Sequence, residues 1–139
     1  MGSDIHLYFE YLNKNAEWEK LDVPEYLSPD DRNYHLFGVL ADVRNMDNIK
    51  PEFAYRTIPD DTSFNHQHQQ ELGMDHSITY ATLEELLNVD WEKYELKDDY
   101  FVIFMQEVLP RFFSMFSPFK MYKLFFSPKN VRIIIGFDS

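Results

Sequence analysis

Polar and apolar residues alternate strictly near the start of the chain, in the order Asp4-Ile5-His6-Leu7-Tyr8-Phe9-Glu10. Successive side chains of a β-strand point to opposite faces, so this period of two predicts a strand with one buried face. The other face then carries Asp4, His6, Tyr8 and Glu10. Two carboxylates, an imidazole and a phenol can together bind a metal, transfer protons or hold a polar ligand.

A second strand is predicted at the other end of the sequence. Val131–Phe137 is rich in β-branched residues and follows a turn-like Ser-Pro-Lys-Asn segment. We expect this strand to pair beside the first one, which also forms a hairpin with residues 16–21. The 139-residue chain is therefore predicted to be a single α+β domain, residues 1–139, whose small sheet is covered by helices.

Helix signals occupy the region between the two strands. One helix is predicted to begin after a cap at Asn33 and to end near Asn45. A short polar helix is predicted from a cap at residues 61–63 to Gly73, and another after the capping box that begins at Thr82. The longest helix begins at residue 98 or 99, and Pro110 is expected to kink or divide it.

The charge of the chain is unevenly distributed. The formal net charge is -11, but residues 1–108 carry 8 Lys and Arg against 23 Asp and Glu, whereas residues 109–139 carry 5 against 1. Such an acidic body argues against general nucleic-acid binding, which needs a basic surface on the protein. It is compatible with docking onto a basic surface of a partner protein.

Two absences from the sequence narrow the expected function. There is no cysteine, which excludes disulfides, thiolate nucleophiles and zinc–thiolate sites. There is also no signal-peptide pattern and no run of about 20 apolar residues of the kind that spans a membrane. We therefore expect a soluble cytoplasmic protein that does not associate with membranes.

Five polar motifs follow one another along the chain. They are Gly2-Ser3-Asp4-Ile5-His6; Arg32, Tyr34, Phe37, Leu40, Val43, Arg44 and Asn45; Arg56-Thr57-Ile58-Pro59-Asp60-Asp61-Thr62-Ser63; His76, Ser77, Thr82, Glu85 and Leu86; and Ile135-Gly136-Phe137-Asp138. In this order they resemble a widespread family of small proteins found in bacteriophages and bacterial genomes. The resemblance implies a phage-like origin, and hence the cytoplasm of a host cell, together with shared polar positions. It implies no particular reaction.

The predicted catalytic groups are Asp4, His6 and His76, because each imidazole lies beside a carboxylate in a motif. With Asp75 they also form a candidate site for a divalent metal, since mixed nitrogen and oxygen ligands suit Mn, Fe or Zn. The alternative is that these side chains only hydrogen-bond neighbouring loops.

Arginine is scarce, and three of the chain's five arginines lie in the polar motifs. A guanidinium binds phosphate or carboxylate through paired hydrogen bonds and keeps its charge, so these arginines predict a site for a phosphorylated small molecule or nucleotide. Their alternative role is structural, in helix capping and ion pairs. The predicted ligand-binding residues are Arg32, Asn33, Tyr34, Arg44, Asn45, Arg56, Asp60, Ser63 and Ser77.

Two functions of different classes follow from these patterns. In the first, a polar cleft binds a phosphorylated metabolite or nucleotide, and hydrolyses or sequesters a host signalling nucleotide with or without a metal. In the second, the acidic surface inhibits a host defence protein or a nucleic-acid-binding protein by contact. The basic and aromatic residues of segment 111–126 favour a packed helix with lysines at its edge over a nucleic-acid or membrane surface.

Overall fold

The computed structural model describes residues 2–116 and 127–139. Residues 117–126, which contain most of the predicted packed helix of segment 111–126, lie outside the described residues. The elements in chain order are β1 (Ile5–Leu12), β2 (Trp18–Lys20), α1 (Tyr34–Ala41), α2 (His66–Leu72), β3 (His76–Thr82), α3 (Leu83–Asn88), α4 (Tyr100–Ile103), a π-helical segment (Phe104–Val108), α5 (Leu109–Phe116), a 3-10 turn (Pro128–Asn130) and β4 (Val131–Phe137).

The four strands form one antiparallel sheet in the order β2-β1-β4-β3. The α+β class and the predicted pairing of the first and last strands are confirmed. β1 and β4 pair along their whole length, from Ile5 opposite Phe137 to Tyr11 opposite Val131. β4 lies inside the sheet and all its residues are buried, which agrees with its β-branched sequence.

The main hydrophobic core covers one face of the sheet. The odd-numbered residues of β1 and β4 face the helices, as the alternation of β1 predicts. Phe37 of α1, Phe101 of α4 and Phe104 of the π-helical segment are almost completely buried there. Each large aromatic ring removes enough apolar surface from water to contribute about 2 kcal/mol to folding.

A smaller cluster covers the middle of the opposite face. It is built around Tyr8 and Ile134, which are cross-strand partners, and Met74. Phe64 and Leu72 pack against this cluster from the segment that carries α2. The face predicted to carry Asp4, His6, Tyr8 and Glu10 is therefore open only at the end with Asp4 and His6, because α2 and the loop before it cover Tyr8 and Glu10.

Two helix boundaries differ from the sequence prediction. α1 ends at Ala41, four residues before the predicted end, because Asp42 adopts a left-handed conformation with φ 61°. α2 begins later than predicted and is capped by Asn65 rather than by residues 61–63, whose side chains bind the sheet instead. Its predicted end at Gly73 is confirmed, with φ 73°.

Pro110, where the sequence predicts a kink or a division, lies inside a helical run that continues from α4 through the π-helical segment to α5. The π-helical segment directly precedes it, and Leu109 N donates to Phe104 O, five residues earlier. Proline has no N–H and its ring crowds the preceding turn, so the wider π turn accommodates it without ending the helical run. Among the residues that the structure describes, no helix has the length and apolar character needed to cross a membrane.

Candidate functional site

Residues from four of the five sequence motifs meet where β1 begins and β4 ends. Because the two strands are antiparallel, the start of β1 and the end of β4 lie side by side at the same end of the sheet. The loops before and after α1 and the start of β3 reach the same place. We call this group the N-terminal cluster, and define it as Ser3, Asp4, His6, Arg32, Tyr34, Arg44, His76 and Asp138.

Asp4 and Arg32 form the exposed side of the cluster. Arg32 Nε donates to Asp4 Oδ1 at 2.6 Å and Arg32 Nη2 donates to Asp4 Oδ2 at 3.2 Å. These hydrogen bonds lower the pKa of Asp4 and raise that of Arg32. Gly2 makes room for the pair, since a Cβ atom there would lie 2.2 Å from Arg32 Nη1 and 2.7 Å from Tyr34 Oη.

Arg44 is held beside this pair by Tyr34 and Ser3. Its guanidinium lies 5.5 Å from the centre of the Tyr34 ring, and Arg44 Nε donates to Ser3 Oγ at 3.3 Å. Ser3 N in turn donates to Tyr34 Oη at 3.2 Å. Arg44 adopts φ 52° and is exposed at the surface of the cluster.

Asp138 joins the two imidazoles that the sequence singles out. His6 Nε2 lies 2.7 Å from Asp138 Oδ2, and His76 Nε2 lies 3.3 Å from the main-chain oxygen of Asp138. Asp4 N donates to the other carboxylate oxygen of Asp138 at 3.0 Å. The hydrogen bond from His6 lowers the pKa of Asp138 more than burial raises it. His76 also contacts Ser77 through Nδ1, 2.9 Å from Oγ.

Arg56 is not part of this cluster. Its two terminal nitrogens donate to the two oxygens of Glu85 at 2.8 and 2.7 Å, and its guanidinium lies over the rings of Phe53 and Tyr80. Glu85 belongs to the capping box of α3, and the hydrogen bonds from Arg56 lower its pKa. The structure therefore supports the structural alternative for Arg56 over the predicted ligand-binding role.

Several other predicted ligand-binding residues also have structural partners away from the cluster. Asn33 caps α1 and donates to Asp99 at 2.8 Å, and Asn45 exchanges hydrogen bonds with the backbone of Ile49. Ser63 binds the carboxylate of Glu10. Asp60 is exposed in the loop before α2.

The predicted metal ligands do not assemble. Within residues 2–116 and 127–139, no group of three or more His, Asp or Glu side chains is arranged to hold a metal ion. Asp4 is engaged by Arg32, and Asp75 is exposed, with its backbone N donating to Phe137 O at 2.8 Å. In this arrangement a guanidinium occupies the Asp4 carboxylate that a metal at Asp4, His6, Asp75 and His76 would need.

Asp138 is the central residue that sequence reasoning did not include among the site residues. Its signal was present, since it directly follows the predicted terminal strand and ends the last motif. The pairing of β1 with β4 then places it beside Asp4 and His6. Ser3 was missed for a different reason, because a small buried hydroxyl before a strand carries no distinctive pattern.

A second polar network is buried under the loop before α2. Glu10, which is completely buried, accepts hydrogen bonds from Thr62, Ser63 and Arg132. Arg132 also donates to Asp61 at 3.0 Å, and its guanidinium lies 3.6 Å from the centre of the Trp18 ring. This network fastens residues 61–63 to the sheet, and its enclosure argues for a structural role.

A groove of about 580 Å³ runs along the outer side of β1, within the usual size range of small-molecule pockets. Asp4 and His6 of the N-terminal cluster line one end of it. Its other wall comes from residues 20–30, and Glu71 and Leu72 close the side near α2.

Comparisons with models of protein families, with curated proteins and with solved structures found no match to this chain.

Proposed function

We propose that the N-terminal cluster binds a phosphorylated small molecule or nucleotide. The observation that supports this most directly is the convergence of residues from four separate motifs on one edge of the sheet. Two guanidiniums, two imidazoles and a phenol lie within two neighbouring hydrogen-bonded sets, one around Ser3 and one around Asp4. A fold needs no such concentration of polar side chains at one edge, whereas a polar ligand does.

Arg32 and Arg44 provide the anion-binding part of the proposed site. The Arg32 side chain is about half exposed, at 54%, and Arg44 is also exposed. An incoming phosphate can take the place of the Asp4 carboxylate on Arg32, because both anions accept the same pair of parallel hydrogen bonds. The Asp4 pair therefore keeps the guanidinium oriented while the site is empty of ligand.

His6 and Asp138 provide the proton-transfer part. The two side chains are 27% and 29% exposed, and His6 lines the groove beside β1. A carboxylate that binds one imidazole nitrogen orients the ring and fixes which of its nitrogens can accept a proton. In the proposed reaction His6 Nδ1 accepts a proton from a water molecule that attacks the phosphorus of the bound ligand. The phosphoester or phosphoanhydride P–O bond breaks, and the departing oxygen is protonated by solvent water. Loss of that activity would leave a protein that sequesters the same ligand.

The resemblance to bacteriophage proteins suggests a biological setting for this proposal. A phage-type protein with this site would remove a host signalling nucleotide, either by binding or by hydrolysis. The test is a thermal-shift screen with AMP, ATP, GTP and cyclic dinucleotides. A ligand at 100 times its Kd should raise the melting temperature by about 5 to 10 °C.

Matched arginine variants identify the site. The double variant Arg32→Gln, Arg44→Gln should lose the ligand-induced shift, whereas Arg111→Gln, an exposed arginine on α5, should keep it. Phosphate release with His6→Gln separates hydrolysis from sequestration. An unchanged shift in the double variant, or no shift with any of these ligands, would contradict the proposal.

A second function is favoured by one observation, the charge of the groove beside β1. Among the residues that the structure describes, its lining includes five carboxylates and one lysine, Lys20. A surface of this charge suits a basic protein partner and repels nucleic acid. Charge reversal at the exposed acids Glu17, Glu19, Asp22 and Glu25 should abolish such an interaction and leave ligand binding at the N-terminal cluster unchanged.

A further inference from the structure

Along its first half β1 has no strand partner on the β2 side in the described part of the chain, and Ile5 and Leu7 there are 3% and 8% exposed. β2 pairs with β1 only between Glu10 and Leu12, and one further hydrogen bond joins Leu21 N to Phe9 O at 2.8 Å. Beyond Leu21 the chain leaves the sheet and forms the far wall of the groove. Across the described part of the chain, no strand pairs with residues 5–7 on this side.

The backbone groups at this edge face the groove. Asp138 N donates to Asp4 O at 3.1 Å, so the even-numbered residues of β1 direct their backbone groups toward β4. Backbone direction alternates along a strand, and the bond from Leu21 to Phe9 confirms that the odd-numbered residues point the other way. The N–H and C=O groups of Ile5 and Leu7 are therefore directed into the groove.

The groove is strongly acidic around this edge. Asp22 and Lys20 lie at the end nearest β2, and the Asp22 side chain is 90% exposed. The remaining carboxylates of the lining are Asp4, Glu25, Asp30 and Glu71. An extended segment in the groove would place its side chains beside these carboxylates while its backbone meets Ile5 and Leu7.

We propose that the groove binds an extended, lysine- or arginine-rich segment of a partner protein, which adds to the sheet as a strand beside β1. This inference rests on the second function above and specifies its partner and its mode of binding. Backbone hydrogen bonds to Ile5 and Leu7 supply the affinity, and the surrounding carboxylates select for a basic sequence. The open edge is then a docking site rather than an aggregation hazard.

The charge of the groove argues against the other occupants. A second copy of this chain would bring two sets of groove carboxylates together, and its net charge of -11 adds to the repulsion. A nucleic acid would be repelled in the same way. A basic peptide segment has the opposite charge, so the groove carboxylates attract it and direct it to the edge of β1 that they surround.

The test uses acetyl-KTKVKTK-amide as the probe, with acetyl-ETEVETE-amide and a fully N-methylated KTKVKTK as controls. Binding is followed by NMR of the 15N-labelled protein and by amide hydrogen exchange. We expect the lysine peptide to bind and to slow exchange at Ile5 and Leu7 by at least about tenfold. The glutamate peptide and the N-methylated peptide should not do so.

Protein variants separate the two parts of the inference. Asp22→Lys with Asp30→Lys should weaken binding of the lysine peptide by about tenfold at low salt, whereas Glu84→Lys with Glu92→Lys, two exposed sites on other elements, should leave it unchanged. Equal binding of the N-methylated peptide would overturn strand addition while leaving a basic partner in place. No binding of the lysine peptide would overturn both. Full protection of the Ile5 and Leu7 amides in the free protein would show that the edge is already covered, which also overturns strand addition.

Discussion

The buried ion pair between Glu10 and Arg132 provides the sharpest test of how the second face of the sheet is held. Glu10→Gln preserves the shape of the side chain and replaces one carboxylate oxygen with an NH2 donor. Thr62, Ser63 and Arg132 all donate to this carboxylate, so the new donor faces other donors. Arg132, 7% exposed, loses its fully buried counterion.

The expected loss follows from these contacts. Removing one partner of a buried ion pair costs about 3 to 5 kcal/mol, because the other charge stays buried without compensation. Arg132 keeps its hydrogen bond to Asp61, which is 66% exposed, so we expect a loss near the lower limit, about 3 kcal/mol. A 3 kcal/mol loss is a large fraction of the total stability of a domain of this size.

Urea unfolding measures this loss directly. With a slope of about 2 kcal/mol per molar urea, Glu10→Gln should lower the unfolding midpoint by about 1.5 M. The matched control is Glu17→Gln in the exposed hairpin turn, which should stay within about 0.5 kcal/mol of the parent. Arg132→Met added to Glu10→Gln should cost less than the sum of the two single changes, because the pair is then removed together. A loss below about 1 kcal/mol for Glu10→Gln would show that Arg132 does not depend on the Glu10 carboxylate for compensation of its charge.

Three further changes test the fold. Gly136→Ala should destabilise the protein by about 1 to 3 kcal/mol in urea unfolding, since its Cβ would lie 2.6 Å from Met74 Sδ, unless that side chain moves. Glu85→Gln should lower stability by about 1 kcal/mol at pH 7, because it breaks the pair with Arg56. The hydrogen bonds from Arg56 lower the folded-state pKa of Glu85. The stability difference between the parent and the variant is therefore full above pH 4.5, the ordinary pKa of the side chain, and disappears as the pH falls through the folded-state pKa. A stability difference that does not change with pH would contradict this prediction. Asn33→Ala should lower the melting temperature by about 4 °C through loss of the α1 cap, and should leave any nucleotide-induced shift unchanged.

The sequence predicts those elements whose signals are local. The alternation of β1, the capping box at Thr82 and the stop at Gly73 each depend on residues a few positions apart, and the structure contains all three. The early end of α1 was not predicted, because a left-handed conformation at an aspartate leaves no clear mark in the sequence.

The candidate site depends on contacts between distant segments, which local sequence patterns do not specify. His6 and His76 do approach each other, through Asp138, because the first and third strands both pair with β4. Arg56 instead binds Glu85, a choice of partner that only the folded chain reveals. Motif membership could not separate an arginine that faces solvent from one that fastens a helix cap.

The antiparallel pairing of the first and last strands has a consequence for how the chain reaches its structure. His6 and Asp138 are 132 positions apart, yet they are neighbours in the sheet. β4 can pair with β1 only after a loop of nearly the whole chain has closed, and closing so long a loop is entropically unfavourable. Folding should therefore be slow and should wait for residues 131–137, so a nascent chain still lacking them cannot complete its sheet, and its short helices and hairpin lack the core that stabilises them.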